Sequence, residues 1–224
     1  MDVIVTGANR GIGLELVRQL MARGDRVEAA CRRPDEAHEL QATGARVHAV
    51  DVADGASVAA FAHALGDTSI DLVINNAGVY GAQRQRVQDF DYEAATRTFE
   101  INALGALRVS QAFVPHLRRG TGKKLAHISS VLGSIGGITA PDNLAYRVSK
   151  AALNMISRSI ALELLDDRII SLVVHPGWVR TAMGGPDAPT TAGEAASAIL
   201  AQIDAAKLGD SGEFVDGNGA RCSW

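Results

Sequence analysis

The chain alternates between short runs that are apolar at nearly every position and longer stretches whose apolar residues recur with a helical period. The first kind predicts strands buried on both faces, the second amphipathic helices. On this pattern strands are expected over 2–5, 26–30, 45–50, 70–74, 124–128 and 169–174, with a short last strand over 213–215. Helices are expected over 11–23, 34–42, 55–65, 92–117, 143–165 and 192–206. Gly24 stops the first helix, and Asp54 stands where it would cap the helix beginning at Gly55. Strand and helix follow each other without repeats, low-complexity tracts or linkers, so one domain over 1–224 is expected. Right-handed crossovers between apolar strands then give an α/β fold, a doubly wound parallel sheet of about seven strands with helices on both faces.

Composition agrees with a core of that size: of 224 residues, 47% are hydrophobic and 21% charged. A net charge of −3 offers no global attraction to nucleic acid or an anionic membrane, and neither is expected as a partner. The best candidate for a membrane span, residues 153–165, is interrupted by Arg158 and Glu163. Cys31 and Cys222 stand at opposite ends of the chain, in neither a metal-ligand spacing nor a disulfide framework, which fits a reducing cytoplasm. The run Val3-Ile4-Val5 starts at once and leads into a glycine loop, unlike a secretory leader, so a cytoplasmic location is expected. His127 and His175 fall at strand ends and the other histidines are scattered. None has a zinc or facial-triad spacing, and no metal is expected.

Chemistry first shows in Thr6-Gly7-Ala8-Asn9-Arg10-Gly11-Ile12-Gly13, between the first strand and the first helix. Gly7 permits a sharp turn off the strand, Gly11 lets a phosphate approach the backbone, and Gly13 lets the helix pack closely. The helix N-terminus then offers free N–H groups and partial positive charge to a pyrophosphate. This is a Rossmann-like dinucleotide site, although its spacing is G-x-x-x-G-x-G rather than G-x-G-x-x-G. An NAD-selective site ends its second strand with an acid that binds the ribose 2′-hydroxyl and repels a 2′-phosphate. Here that position is Cys31, followed by Arg32 and Arg33, with Arg10 on the same side. Guanidinium groups suit a phosphate, so NADP(H) is expected in preference to NAD(H).

A second candidate lies in Tyr146-Arg147-Val148-Ser149-Lys150. On a helix, residues four apart share a face, which places a phenol beside an ammonium. A free tyrosine has a pKa near ~10, and a neighbouring cation favours its phenolate, so the pair could donate and accept a proton.

These motifs together resemble the short-chain dehydrogenase/reductase family over nearly the full length, and within it the compact C-factor and sniffer-type carbonyl reductases. The resemblance rests on residues 6–13, Asp51-Val52, Asn75-Asn76-Ala77-Gly78, Asn102, Ser129-Ser130, Tyr146 with Lys150, and Pro176-Gly177-Trp178-Val179-Arg180-Thr181. Asp216-Gly217 and the terminal Trp224 also resemble that group. It implies that Tyr146 is the general acid in carbonyl reduction and the base in alcohol oxidation. Lys150 would lower its pKa and bind the nicotinamide ribose, and Ser130 would hydrogen-bond the substrate carbonyl. Asn102 would hold a water linking Lys150 to solvent. Asp51 would bond the adenine amino group, residues 76–78 would line the adenosine ribose, and Thr181 would bond the nicotinamide carboxamide.

Ser130 and Tyr146 are further apart than is usual in the family, and the extra residues fall in 136–143, expected to form part of the substrate-pocket wall. Ser134 is a weaker alternative for the serine role. The segment 182–191 corresponds to the family's substrate lid and is short. The implied activity is NADP(H)-dependent reduction of a small aldehyde or ketone, or the reverse. The alternative from another class is a cofactor-binding redox sensor or signalling protein with little turnover. The resemblance also implies a homodimer or homotetramer pairing helices 92–117 and 143–165, though compact members can be monomers.

Overall fold

A computed structural model describes residues 1–81 and 84–224. The chain starts with β1 (Asp2–Thr6), α1 (Gly11–Ala22), β2 (Arg26–Cys31), α2 (His38–Gln41) and β3 (Arg46–Ala49). It continues through α3 (Gly55–Leu65), β4 (Leu72–Asn75) and a hairpin of β5 (Gln85–Arg86) and β6 (Asp89–Phe90). Next come α4 (Tyr92–Phe99), α5 (Gly105–Arg119), β7 (Lys124–Ile128) and α6 (Leu144–Glu163). The last elements are β8 (Ile170–His175), β9 (Val179–Arg180), β10 (Thr190–Thr191), α7 (Ala192–Ala205) and β11 (Phe214–Asp216).

The central sheet has seven strands in the order β11-β8-β7-β4-β1-β2-β3. Every pairing within it is parallel. This is the expected doubly wound α/β fold. The winding reverses beside β1, which pairs with β2 on one side and β4 on the other. Such a switch point opens a crevice at the carboxyl ends of the strands.

Strand periodicity divides the core into two layers. Val3 and Val5 of β1 face a cluster with Leu16, Val17 and Leu20 of α1 and Ile199 and Ile203 of α7. Ile4 points the other way, toward Phe61 of α3, Val109 and Phe113 of α5 and Ile160 of α6. Each of these strand residues is fully buried, and with helices on both sides the strand has no polar face to show.

Four local features depart from the expected elements. The helix expected over 92–117 is interrupted by a π turn, Glu100–Leu104, which inserts a residue into the ladder between α4 and α5. The helix expected over 34–42 is a 3₁₀ turn, Pro34–Glu36, followed by the single turn of α2, because Ala37 leaves the helical region at φ −98°, ψ 54°. Two short pairings were not anticipated, the antiparallel β5–β6 hairpin and the parallel β9–β10 bridge. Among the described residues no helix is long and apolar enough to cross a membrane.

Candidate active site

A cleft of about 1190 Å³ opens where the winding reverses. It exceeds the usual ~300–1,000 Å³ of a small-ligand pocket and has room for a dinucleotide beside a second molecule. The loop after β1, the ends of β3 and β4, the segment after β7, the start of α6 and the segment after β8 all contribute to its wall.

The glycine loop forms the floor. Gly7 and Gly11 have φ of +64° and +54°, the left-handed region that favours glycine. A Cβ on Gly7 would stand 2.7 Å from Ala77 Cα, and one on Gly13 would stand 2.5 Å from Asn76 Nδ2 and press on the Gly7 carbonyl oxygen. The loop therefore lies directly against the end of β4, in a cradle that side chains would fill. Arg10, at the N-cap position of α1, supplies no side-chain cap, so the first-turn N–H groups are not claimed by it. Asn9, Arg10, Gly11, Ile12 and Gly13 all face the cleft.

Thr6 is placed differently from the expectation. It is 1% exposed and does not face the cleft. Its Oγ1 accepts the N–H groups of Asn76 and Ala77 at 3.1 Å each. Asn76 Nδ2 answers by donating to the carbonyls of Thr6 at 3.0 Å and Gly7 at 3.1 Å. Thr6 thus ties the ends of β1 and β4 together and shapes the cradle from behind. Asn76, Ala77 and Gly78 line the cleft.

At the far end stand Cys31, Arg32, Asp51 and Val52. Arg33 turns away and pairs with Glu36 at 3.2 Å. Burial pushes the Cys31 thiol up, so the end of β2 carries no negative charge. Burial also works against the Asp51 carboxylate, but the Ala53 N–H and Arg97 outweigh it and hold the carboxyl below its usual range. Arg97, on α4, reaches Asp51 at 3.1 Å, across 46 residues of chain, a pairing that no local spacing reveals. Glycine cradle, uncapped helix terminus and the cleft-facing Arg10 and Arg32 fit a phosphorylated dinucleotide.

The opposite wall carries Ser130, Tyr146 and Lys150. Lys150 is 5% exposed, donates from Nζ to the Ile128 carbonyl at 2.8 Å, and lies 5.7 Å from the centre of the Tyr146 ring. Burial pushes the lysine down to about 8. Burial likewise pushes the Tyr146 phenol up to about 12, opposed by a hydrogen bond with Ser130. Removing the phenolate from water is the largest influence on this phenol. Ser134 does not compete with Ser130. It is 6% exposed, lies away from the cleft, and its Oγ donates to the Trp224 carbonyl at 3.2 Å and accepts the Gly137 N–H at 2.9 Å.

Those same bonds, with Gly136 N–H donating to the Trp224 carbonyl at 2.9 Å, draw the following loop away from the cleft. The expected wall over 136–143 is therefore corrected: Val131 and Leu132 line that side, and none of 136–143 does. The lid segment is closer. Ala182, Met183 and Gly184 face the cleft beside Pro176, Gly177, Trp178, Val179 and Thr181. Trp178 Nε1 donates to the Gly184 carbonyl at 2.7 Å and Gly184 N–H donates to Thr181 Oγ1 at 3.1 Å, which folds the lid into a tight turn.

Asn102 lies behind the cleft, in the π turn. Its Oδ1 accepts the Val79 N–H and its Nδ2 donates to the Val79 carbonyl, both at 2.8 Å. A Cβ on Gly78 would stand 3.3 Å from Asn102 Oδ1 and 3.7 Å from Lys150 Nζ, so the two side chains flank the same glycine. Tyr80 was not anticipated. Its ring lies 5.2 Å from that of Tyr146, tilted by 33°, on the cleft wall. An aromatic residue just beyond Asn75-Asn76-Ala77-Gly78 was the available signal. Among the described residues no cluster of His, Cys, Asp or Glu could hold a metal.

Comparison with known proteins accords with this geometry. The short chain dehydrogenase family profile matches residues 2–192. C-signal of Myxococcus xanthus is 43% identical over 165 residues, spanning 74% of this chain and 99% of that protein. The NADPH-bound carbonyl reductase from chicken fatty liver superposes with a TM-score of 0.93 at 32% identity, covering 100% of this chain and 98% of that one. Carbonyl reductase Sniffer of D. melanogaster superposes with a TM-score of 0.93 at 27% identity, covering 100% and 99%.

Proposed function

The chain belongs to the short-chain dehydrogenase family, and we propose that it is an NADP(H)-dependent oxidoreductase that reduces an aldehyde or ketone to an alcohol. The observation that carries this reading is the convergence of Ser130, Tyr146 and Lys150 on one cleft wall, facing a glycine cradle on the other side. A reduced nicotinamide held there would supply the hydride for the carbonyl carbon. Everything else falls to the chain's own residues.

The loop from Gly7 to Gly13 and the start of α1 would receive the pyrophosphate on backbone N–H groups. Arg10 and Arg32 would take the 2′-phosphate, at a strand end where neutral Cys31 offers no repulsion. Asp51 and Val52 would hold the adenine, residues 76–78 the adenosine ribose, and Pro176, Gly177, Val179 and Thr181 the nicotinamide, all of them residues that line the cleft.

Tyr146 donates its phenolic proton to the carbonyl oxygen while Ser130 donates a second hydrogen bond to the same atom. With the phenol pushed up to about 12, Tyr146 keeps its proton at neutral pH and starts the reductive cycle as an acid. The phenolate left behind is stabilised by the charge of the buried Lys150 ammonium, 5.7 Å from the ring centre, an interaction that a low-dielectric site strengthens. Asn102 acts through Val79, fixing the strand end that separates Lys150 from the glycine loop.

The mouth is apolar and aromatic, with Tyr80, Val131, Leu132, Trp178 and Met183. This apolar lining favours an uncharged carbonyl compound, while Arg180 beside it is bonded to the carbonyls of Ala188 at 3.1 Å and Pro189 at 3.5 Å. A cofactor-binding sensor would need no buried Ser-Tyr-Lys contact set, and no feature of the site favours that alternative. The test is NADPH oxidation by the purified protein against aldehydes, diketones, quinones and keto-esters. Turnover of at least one class is expected. No turnover of any, with NADPH or NADH, would overturn the reading.

A further inference from the structure

Tyr146 is held from a direction that the Ser-Tyr-Lys set does not explain. Its backbone N–H lies in the first turn of α6, where helix N–H groups lack partners within the helix. Asn143, at the N-cap position, is left-handed at φ 59° and gives no side-chain cap. The Tyr146 N–H donates instead to Gln85 Oε1 at 3.0 Å, from a residue 61 positions earlier. Gln85 is 3% exposed and belongs to β5 of the hairpin.

The same side chain grips a neighbour of the phenol. Gln85 Nε2 donates to the Tyr80 carbonyl at 3.3 Å. The Tyr80 ring lies against the Tyr146 ring, and its hydroxyl donates to Asn143 Oδ1. On the other side Asn102 Nδ2 donates to Ser149 Oγ at 3.0 Å, and Ser149 Oγ donates to the Tyr146 carbonyl at 2.7 Å. The N–H and the C=O of Tyr146 are thus each bonded to a buried side chain.

We propose that Gln85 is a positioning residue: a helix cap, supplied by the β5–β6 hairpin, that sets where the Tyr146 phenol stands relative to Ser130 and Lys150. The inference rests on the reading of Tyr146 as the proton donor. A helix start without its cap must fray or shift to find its N–H a partner, because an unpaired buried donor is costly. Either movement carries the ring with it. Loss of Gln85 Nε2 frees the Tyr80 backbone on the ring's other side. Misplacement of a reacting group by ~1 Å costs about 100-fold in rate, while the dinucleotide contacts of residues 7–13 lie elsewhere.

The experiment compares Gln85→Leu and Gln85→Glu in the full chain, reading kcat, KM and NADPH affinity by fluorescence. Leucine removes the acceptor, and kcat is expected to fall at least about tenfold with NADPH affinity unchanged. Glutamate, kept protonated at this buried position, retains an acceptor for the Tyr146 N–H and a donor for the Tyr80 carbonyl, and is expected to restore most of kcat. A folded Gln85→Leu with wild-type kcat would overturn the inference, as would equal losses in both variants. If Gln85→Leu does not fold, Gln85→Asn, one methylene short, decides: a fall in kcat at constant NADPH affinity supports the cap, and unchanged kcat refutes it. Tyr146→Phe separates the two readings. If it stays active the proton-donor assignment fails, whereas an inactive Tyr146→Phe beside a fully active Gln85→Leu refutes only the cap.

Discussion

Gly13→Ala sets two opposed effects against each other. Alanine in the first turn of α1 would gain about 1 kcal/mol from helix propensity. Its Cβ, however, would stand 2.5 Å from Asn76 Nδ2, roughly 1 Å inside ordinary contact. The neighbour is not a free chain end. Asn76 Nδ2 is bonded to the carbonyls of Thr6 and Gly7, and the Gly7 carbonyl itself lies under the new methyl. Moving the loop strains bonds worth about 1 kcal/mol each and adds an overpacking cost of about 1–3 kcal/mol. Sterics should win, with a net loss of about 2 kcal/mol and a Tm lower by roughly 4–8 °C. Because the same loop forms the cradle, NADPH Kd should rise about tenfold or more, equivalent to losing one charge-assisted hydrogen bond. Thermal unfolding and fluorescence titration read both. A Gly13→Ala variant with a higher Tm and unchanged Kd would refute the close packing of loop on β4.

Other sites give further outcomes. Cys31→Asp places a carboxylate where the 2′-phosphate is assigned, and should raise KM for NADPH about tenfold or more while lowering that for NADH; a wild-type protein that already prefers NADH would contradict the assignment. His127 is fully buried, with its pKa pushed down from 6.5 to about 4 first by burial and then by Lys150. The unfolded chain therefore binds a proton that the native state refuses between those values. Stability carried by neutral His127 is intact above pH 6.5 and is lost as pH falls toward 4, by about 3 kcal/mol in all. Urea unfolding of wild type and His127→Gln across that range should show a flatter profile in the variant, and parallel profiles would contradict it.

What could be read in advance follows the range of the interactions. The β1–α1 loop and the Tyr146/Lys150 pair are local, set by the turn of one loop and the pitch of one helix, and both were legible. The strands were legible because a parallel sheet covered on both sides demands apolar residues on both faces, as Val3, Ile4 and Val5 show. The π turn at Glu100–Leu104 was not, since one inserted residue scarcely alters a helical period. Thr6 illustrates a different limit: its place in the motif was clear, but whether its hydroxyl faces the cleft or the β4 backbone depends on a strand 68 residues away. The bond from Tyr146 to Gln85 spans 61 residues and leaves no periodic trace. The Tyr146 phenol was expected low because its cation was visible in sequence. The burial that pushes it up to about 12 comes from packing, which was not.

Tyr146→Phe tests the central claim most directly, since it removes one oxygen and keeps the ring that packs against Tyr80. With a carbonyl substrate from the panel, kcat for NADPH-dependent reduction should fall at least about 100-fold, the scale of a lost general acid. NADPH affinity, proposed to rest mainly on the glycine loop with Arg10 and Arg32, should change little. A Tyr146→Phe enzyme that reduces the carbonyl at the wild-type rate would contradict the account.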